Sequence, residues 1–133
     1  LGNLLAISSG MESRMLFWEQ YKYDMDGMLF WATNEWTNLN RRHQINPYIG
    51  LLVYPGKEYK IDGPVSCIRT EIARDGIEDF QYMKMLEDEI GRDAVLEYVK
   101  EVTTEILEFT EDPDVLDSAR ESIAYRLMDE LEK

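Results

Sequence analysis

Residues 68–86 read "IRTEIARDGIEDFQYMKML", charged side chains threaded through an apolar beat. From Ser66 to about Ile90, the positions Ile68, Ile72, Phe80, Met83, Leu86 and Ile90 keep helical spacing, with Pro64 just ahead and Gly91 as a stop. Gly76 in mid-helix costs about 1 kcal/mol relative to Ala, which points to close packing there or to a break between two helical pieces. The adjacent carboxylates Glu78 and Asp79 raise the question of acid–base or glycosidase chemistry. Neighbours on a helix point about 100° apart, so these two cannot face each other across a substrate. Arg74 precedes Glu78 by four residues, the spacing of a helical ion pair. The pattern therefore predicts carboxylates, Asp75 among them, paired with Arg69 and Arg74 to fix a helix rather than a catalytic dyad.

Working outward, the same test predicts three more helices. Segment 11–24 follows Ser8, Ser9 and Gly10, which suit a helix start, and places Met11, Met15, Trp18 and Tyr21 on one face. A helix over 92–109 would align Val95, Tyr98, Val99, Val102, Ile106 and Phe109, and one over about 114–131 would align Leu116, Ala119, Ile123, Leu127 and Leu131. The last two read as an antiparallel pair with acidic outer faces. "DGMLFWAT" (26–33) combines a turn signal with a continuous apolar run, the pattern of a strand buried on both faces. "LLVYP" (51–55) suits a short strand stopped by Pro55-Gly56, inside a long turn-rich region over 34–66. The expected fold is mainly α with one or two short strands. A strand without an upstream partner, and the abrupt start "LGNLLAISSGM", predict a piece of a longer protein.

The charge is unevenly spread. The net of −13 divides into −1 over residues 1–62 (six Lys/Arg, seven Asp/Glu) and −12 over 63–133 (eight against twenty). Such a surface repels phosphate backbones and anionic lipid, so neither nucleic acid nor membrane is an expected partner. With 44% hydrophobic residues the chain can bury a core. One cysteine, Cys67, rules out an internal disulfide and a cysteine-based zinc site.

Most candidate chemistry fails on spacing. "KYDMDGMLF" (22–30) has Asp24, Asp26 and Gly27 at calcium-loop offsets, but Lys22 takes the first ligand position and Thr33 the twelfth, where a bidentate Glu is needed. The acidic run 111–121 suits a helix N-terminus better than a metal. His43 stands in a loop without a nucleophile elbow, and Cys67 sits beside apolar Ile68 near a helix start, as an inert thiol would. No metal and no cofactor is expected. "LFWATNEW" (29–36) survives: Trp31 and Trp36 can stack on sugar C–H faces while Asn34 and Glu35 meet hydroxyls. The alternative for both tryptophans is a place in the core.

Three motifs in order carry a resemblance. They are "ESRMLFWEQYKYDMDGMLFWATNEW", with Arg14, Trp18, Tyr21, Asp26, Gly27, Leu29 and Trp31; then Tyr54-Pro55-Gly56; then "GPVSCIRTEIARDGIEDFQYMKMLE", with Ser66, Arg69, Glu71, Arg74, Asp75, Gly76, Glu78, Asp79 and Phe80. Over about residues 11–90 the chain resembles the C-terminal end of the catalytic region of family-123 glycoside hydrolases and their uncharacterised relatives. The resemblance implies a (β/α)8 TIM-barrel region and a β-N-acetylhexosaminidase-like parent. It implies a substrate-assisted mechanism in which the 2-acetamido oxygen attacks the anomeric carbon, an Asp orients it and a neighbouring Glu is the acid/base. Glu78-Asp79 has the reverse order and lies on a helix, so those roles are not carried onto it.

The division expected from this is 1–90 as the last helix–strand–helix units of the barrel and 91–133 as a helical appendage. Trp31, Asn34, Glu35 and Trp36 would be substrate-pocket wall residues, while Arg14, Arg69, Arg74, Asp75, Glu78 and Asp79 would hold the structure. The partner implied is carbohydrate, reached through the parent protein, with self-association expected of the piece alone. The compartment is left open, a secreted or periplasmic parent being one option. The competing reading is a non-catalytic helical module that binds protein or glycan.

Overall fold

A computed structural model describes residues 3–5, 8–34 and 51–133. Helix α1 (Gly10–Lys22) starts at Ser9, whose hydroxyl accepts from the Glu12 N–H at 3.2 Å. It buries Met15, Trp18 and Tyr21, the face its spacing predicts. A hairpin follows: β1 (Val53–Pro55), a 3-10 turn (Gly56–Tyr59) and β2 (Pro64–Ser66), antiparallel with Tyr54 opposite Val65. Gly56 is required here, because a Cβ would sit 2.0 Å from the Gly63 carbonyl oxygen.

Helix α2 (Ile68–Ile90) runs unbroken for 23 residues, about 35 Å. Its buried positions are Ala73, Gly76, Asp79, Met83 and Leu86, whereas Ile68 is 69% exposed. The core face is thus rotated from the purely apolar count, because a glycine and a carboxylate form its middle. At Gly76 the ring of Phe17 on α1 comes so near that a Cβ would lie 2.2 Å from Cδ2. Close packing, not a helix break, explains this residue.

After Gly91 (φ +83°) the chain turns into α3 (Arg92–Val102), which buries Val95, Val99 and Val102. The expected helix over 92–109 ends early. Residues 103–109 form a second antiparallel hairpin, β3 (Thr103–Glu105) with β4 (Glu108–Phe109). Val102, Thr103 and Thr104 are β-branched, and the Thr103 hydroxyl donates to the Glu105 and Glu108 carbonyls at 3.2 and 3.3 Å, which favours a turn over another helical turn. Helix α4 (Pro113–Leu131) is capped by Asp112, which accepts from the Asp114 N–H at 3.0 Å, with Pro113 in its first turn.

One apolar cluster joins all four helices: Met15, Trp18 and Tyr21 meet Met83 and Leu86, then the α3 valines, then Leu116, Ala119, Ile123 and Leu127 of α4. The molecule is mainly helical with short antiparallel strands. Residues 26–33 differ from expectation: they form no strand, and Leu29 is 89% exposed and Trp31 77%. Among the described residues no strand pairs along this segment, which meets β1 only at the Thr33 carbonyl, and a doubly buried strand cannot exist without neighbours.

Candidate functional site

Two places combine sequence motifs with geometry: a cavity beside the Trp31 segment, and a buried charge cluster between helices. The segment leaves α1 and returns to the body at Thr33, whose carbonyl accepts from the Leu52 and Val53 N–H groups at 3.1 and 3.0 Å. Arg69 and Thr70 at the start of α2 fix this return. Arg69 donates to the Leu51 carbonyl and to the Tyr54 hydroxyl (3.0 Å), and Thr70 donates to the Leu52 carbonyl. Among the described residues Arg69 therefore holds the hairpin and pairs with no carboxylate, unlike the sequence expectation. Sequence spacing sees only partners one helical turn away, and the Leu51 carbonyl is eighteen residues off.

A cavity of about 670 Å³ opens where this return meets the hairpin, lined by Thr33, Asn34, Val53, Pro55, Lys57 and Asp62 among others. Asn34 lines this cavity. Trp31 is exposed and not part of the core; among the described residues the buried tryptophan is Trp18, 0% exposed. Glu35, Trp36 and His43 lie outside the described residues.

The charge cluster centres on Asp79, buried on α2. Arg14 of α1 grips it with two bonds, Nε to Oδ2 at 2.7 Å and Nη2 to Oδ1 at 3.1 Å. Trp18 Nε1 donates to Oδ2 at 2.9 Å, and Arg120 of α4 pairs through Nε to Oδ1 at 2.8 Å. Arg14 also reaches Asp117 (2.9 Å), and Arg120 reaches Glu78 (3.4 Å). Burial works against the Arg14 charge, but hydrogen bonding and attraction to Asp79 and Asp117 prevail, so its pKa is raised. Every oxygen of Asp79 is occupied, which suits a fold-locking carboxylate and leaves none to take a proton from a substrate.

The expected Arg74–Glu78 pair exists at 3.8 Å, and Arg74 also meets Glu71 (2.6 Å) and Asp75 (3.4 Å), but all three contacts are solvent-exposed and weak. Asp79 is the carboxylate that matters structurally, and its partners are Arg14 and Arg120. Sequence reading placed Asp117 in an acidic helix start without its arginine partner, and missed Arg120 altogether. The signal available was a Trp four residues after an Arg on α1, which puts two donors on one helix face.

The two Asp-Glu neighbours in the chain, Asp88-Glu89 and Asp129-Glu130, lie on helices rather than at strand ends, and neither lines a described cavity. Among the described residues no group of three His, Cys, Asp or Glu could hold a metal ion, and no helix is long and apolar enough to cross a membrane. Cys67 is half-buried against the Leu51 carbonyl (3.5 Å).

A smaller cleft of about 230 Å³, bordered by Tyr21, Asp24, Asp26, Phe80, Lys84 and Arg92, lies at the end of α1. Burial, then the neighbouring Glu87 carboxylate, raises the Tyr21 pKa well above that of free tyrosine. A raised value means the folded state holds its proton more tightly, so the stability is whole below the unfolded pKa of about 10 and declines above it. Thermal melts of the wild type should therefore fall between pH 9 and 11 faster than those of Tyr21→Phe. Parallel curves would show that Tyr21 does not titrate with unfolding.

The family model for the glycoside hydrolase 123 catalytic domain matches residues 1–86. The chain belongs to this family. No curated protein matches it. In this glycoside hydrolase 123 chain the matched stretch holds α1, the Trp31 segment, the first hairpin and most of α2. Arg14, Trp18 and Asp79 fall inside the match, while Asp117 and Arg120 fall outside it. The family motif residues therefore complete their ion pairs with residues from beyond the matched stretch.

Proposed function

We propose that this chain is the closing portion of a glycoside hydrolase 123 catalytic domain whose parent cleaves a β-linked N-acetylhexosamine. Trp31, Asn34, Glu35 and Trp36 form part of the substrate wall. One observation carries the reading: inside the family match, an indole 77% exposed stands three residues from an amide on a cavity of about 670 Å³. An exposed indole beside polar groups is the combination that grips a sugar ring by its C–H face and its hydroxyls.

In this reading the 26–33 segment becomes the last strand of a (β/α)8 barrel once neighbouring strands pair with it, and α2 closes the barrel. Active sites of such barrels sit at the C-terminal ends of strands, where Asn34 and Glu35 follow residue 33. The chemistry is substrate-assisted: the acetamido oxygen displaces the leaving group while an Asp orients it and an adjacent Glu protonates the glycosidic oxygen. Glu78-Asp79 is consumed by ion pairs, so the acid/base pair is assigned to another part of the parent.

Two measurements test this. Incubated with chromogenic β-N-acetylgalactosaminide and β-N-acetylglucosaminide, the chain alone should release no chromophore; turnover would overturn the missing-pair claim. In titrations followed by NMR, Trp31→Ala and Trp36→Ala should each weaken aminosugar binding about tenfold, equivalent to about 1.4 kcal/mol. Unchanged binding in both variants would overturn the wall role, and sugar-blind protein binding would favour an interaction module.

A further inference from the structure

We propose that Arg92, the first residue of α3, positions the segment that carries Trp31, so that residues beyond the family match take part in shaping the candidate site. The proposal rests on reading Trp31 as a wall residue. Arg92 Nη2 donates to the last carbonyls of α1, Tyr21 at 2.6 Å and Lys22 at 3.3 Å. Its Nη1 faces Glu87 at 3.4 Å and Asp24 at 3.6 Å, and the guanidinium lies 4.8 Å over the Tyr21 ring. A second clamp lies beside it: Lys22 Nζ donates to the carbonyls of Thr103 (2.8 Å) and Thr104 in the second hairpin. The end of α1 is thus held by a cation from α3, and its own last cation is held by β3.

The chain then changes direction within a few residues. Asp24 adopts a left-handed conformation (φ +53°), uncommon outside glycine, and the Met25 N–H donates back to the Gln20 carbonyl at 3.0 Å. Among the described residues the next backbone anchor is Thr33. Leu29 and Trp31 between them are exposed, while Phe30 is half-buried against the Leu4, Phe17 and Ala73 cluster. The two backbone anchors and the Phe30 contact set the place of the segment, and Arg92 supplies the upstream anchor. An exit direction fixed at Asp24 is carried along the eight residues to Thr33, and with it the place of the indole.

The test uses the full chain labelled with 5-fluorotryptophan and read by fluorine NMR. Trp18 reports the core, and Trp31, assigned through Trp31→Phe, reports the segment. In Arg92→Met the Trp31 signal should move by more than its linewidth while Trp18 stays, and Arg92→Lys should return it part of the way. An unmoved Trp31 signal, or equal movement at Trp18 and Trp31, would overturn the proposal. Asp24→Gly provides the second variant, at a side chain 85% exposed. It releases the left-handed constraint and should broaden Trp31 alone. If Arg92→Met loses its folded spectrum, Asp24→Gly decides the matter, and an unchanged Trp31 signal there overturns the proposal. The spectra are read without sugar, so failure to bind an aminosugar would overturn the wall role and leave this result standing.

Discussion

Asp79→Ala should destabilise the chain by about 3 kcal/mol, the lower part of the 3–5 kcal/mol range for breaking a buried ion pair. The substitution leaves the buried Trp18 Nε1 without its acceptor and Arg14, 16% exposed, with Asp117 alone, while Arg120, at 34%, can turn to Glu78 and water. That partial escape sets the lower figure. Against a total of about 5–15 kcal/mol for a typical domain, such a loss is large. In urea it should lower the midpoint by roughly 2 M at an ordinary m-value. Asp79→Asn keeps one acceptor for Trp18 and should lose less. A drop below 1 kcal/mol for Asp79→Ala would mean the arginines find other partners. A double-mutant cycle with Arg120→Met should return a coupling of about 1 kcal/mol, because the two groups touch.

Gly76→Ala is the second large effect, and here two physical terms oppose each other. Alanine gains about 1 kcal/mol of helix propensity over glycine. Its Cβ would lie 2.2 Å from Cδ2 of Phe17, far inside contact distance, and the ring is 7% exposed with little room to retreat. Overpacking of this kind costs typically 1–3 kcal/mol, and so short an approach belongs at the upper end. The net expectation is a loss of about 2 kcal/mol by denaturant unfolding. Phe17→Ala removes the obstacle at its own cost of about 3 kcal/mol. In that background Gly76→Ala should turn stabilising by about 1 kcal/mol, leaving only propensity. A Gly76→Ala variant as stable as the wild type would show that α1 can shift away from α2.

These two residues also show what the sequence could and could not convey. Helices α1, α2 and α4 were legible because each carries its apolar residues at a helical period, and Ser9 and Gly91 stand at helix ends as expected. The face of α2 was not, because Gly76 and Asp79 lie on the buried side and carry no apolar signal. The early end of α3 was hidden by Ile106 and Phe109, which continue the period of Val95, Val99 and Val102 while belonging to a hairpin. Segment 26–33 has the composition of a strand, but a strand is completed by its neighbours, and composition does not supply them. At the candidate site, Arg14, Glu78 and Asp79 were singled out by the sequence motifs. Their partners were not: Arg14 and Asp79 are 65 residues apart, and nothing in local spacing joins them.

The family match ends at Leu86, one of the most deeply buried residues and four short of the end of α2. A recombinant product trimmed at that boundary would keep the motifs and lose Val95, Val99, Leu116 and Ile123 from the shared cluster. Met15, Trp18 and Met83 would then meet solvent, and Asp79 would keep one arginine of two. Such a product should collect in the insoluble fraction, so expression boundaries for this family member belong after Leu131, and chimaeras that exchange material at residue 86 would join surfaces that were never solvent-compatible.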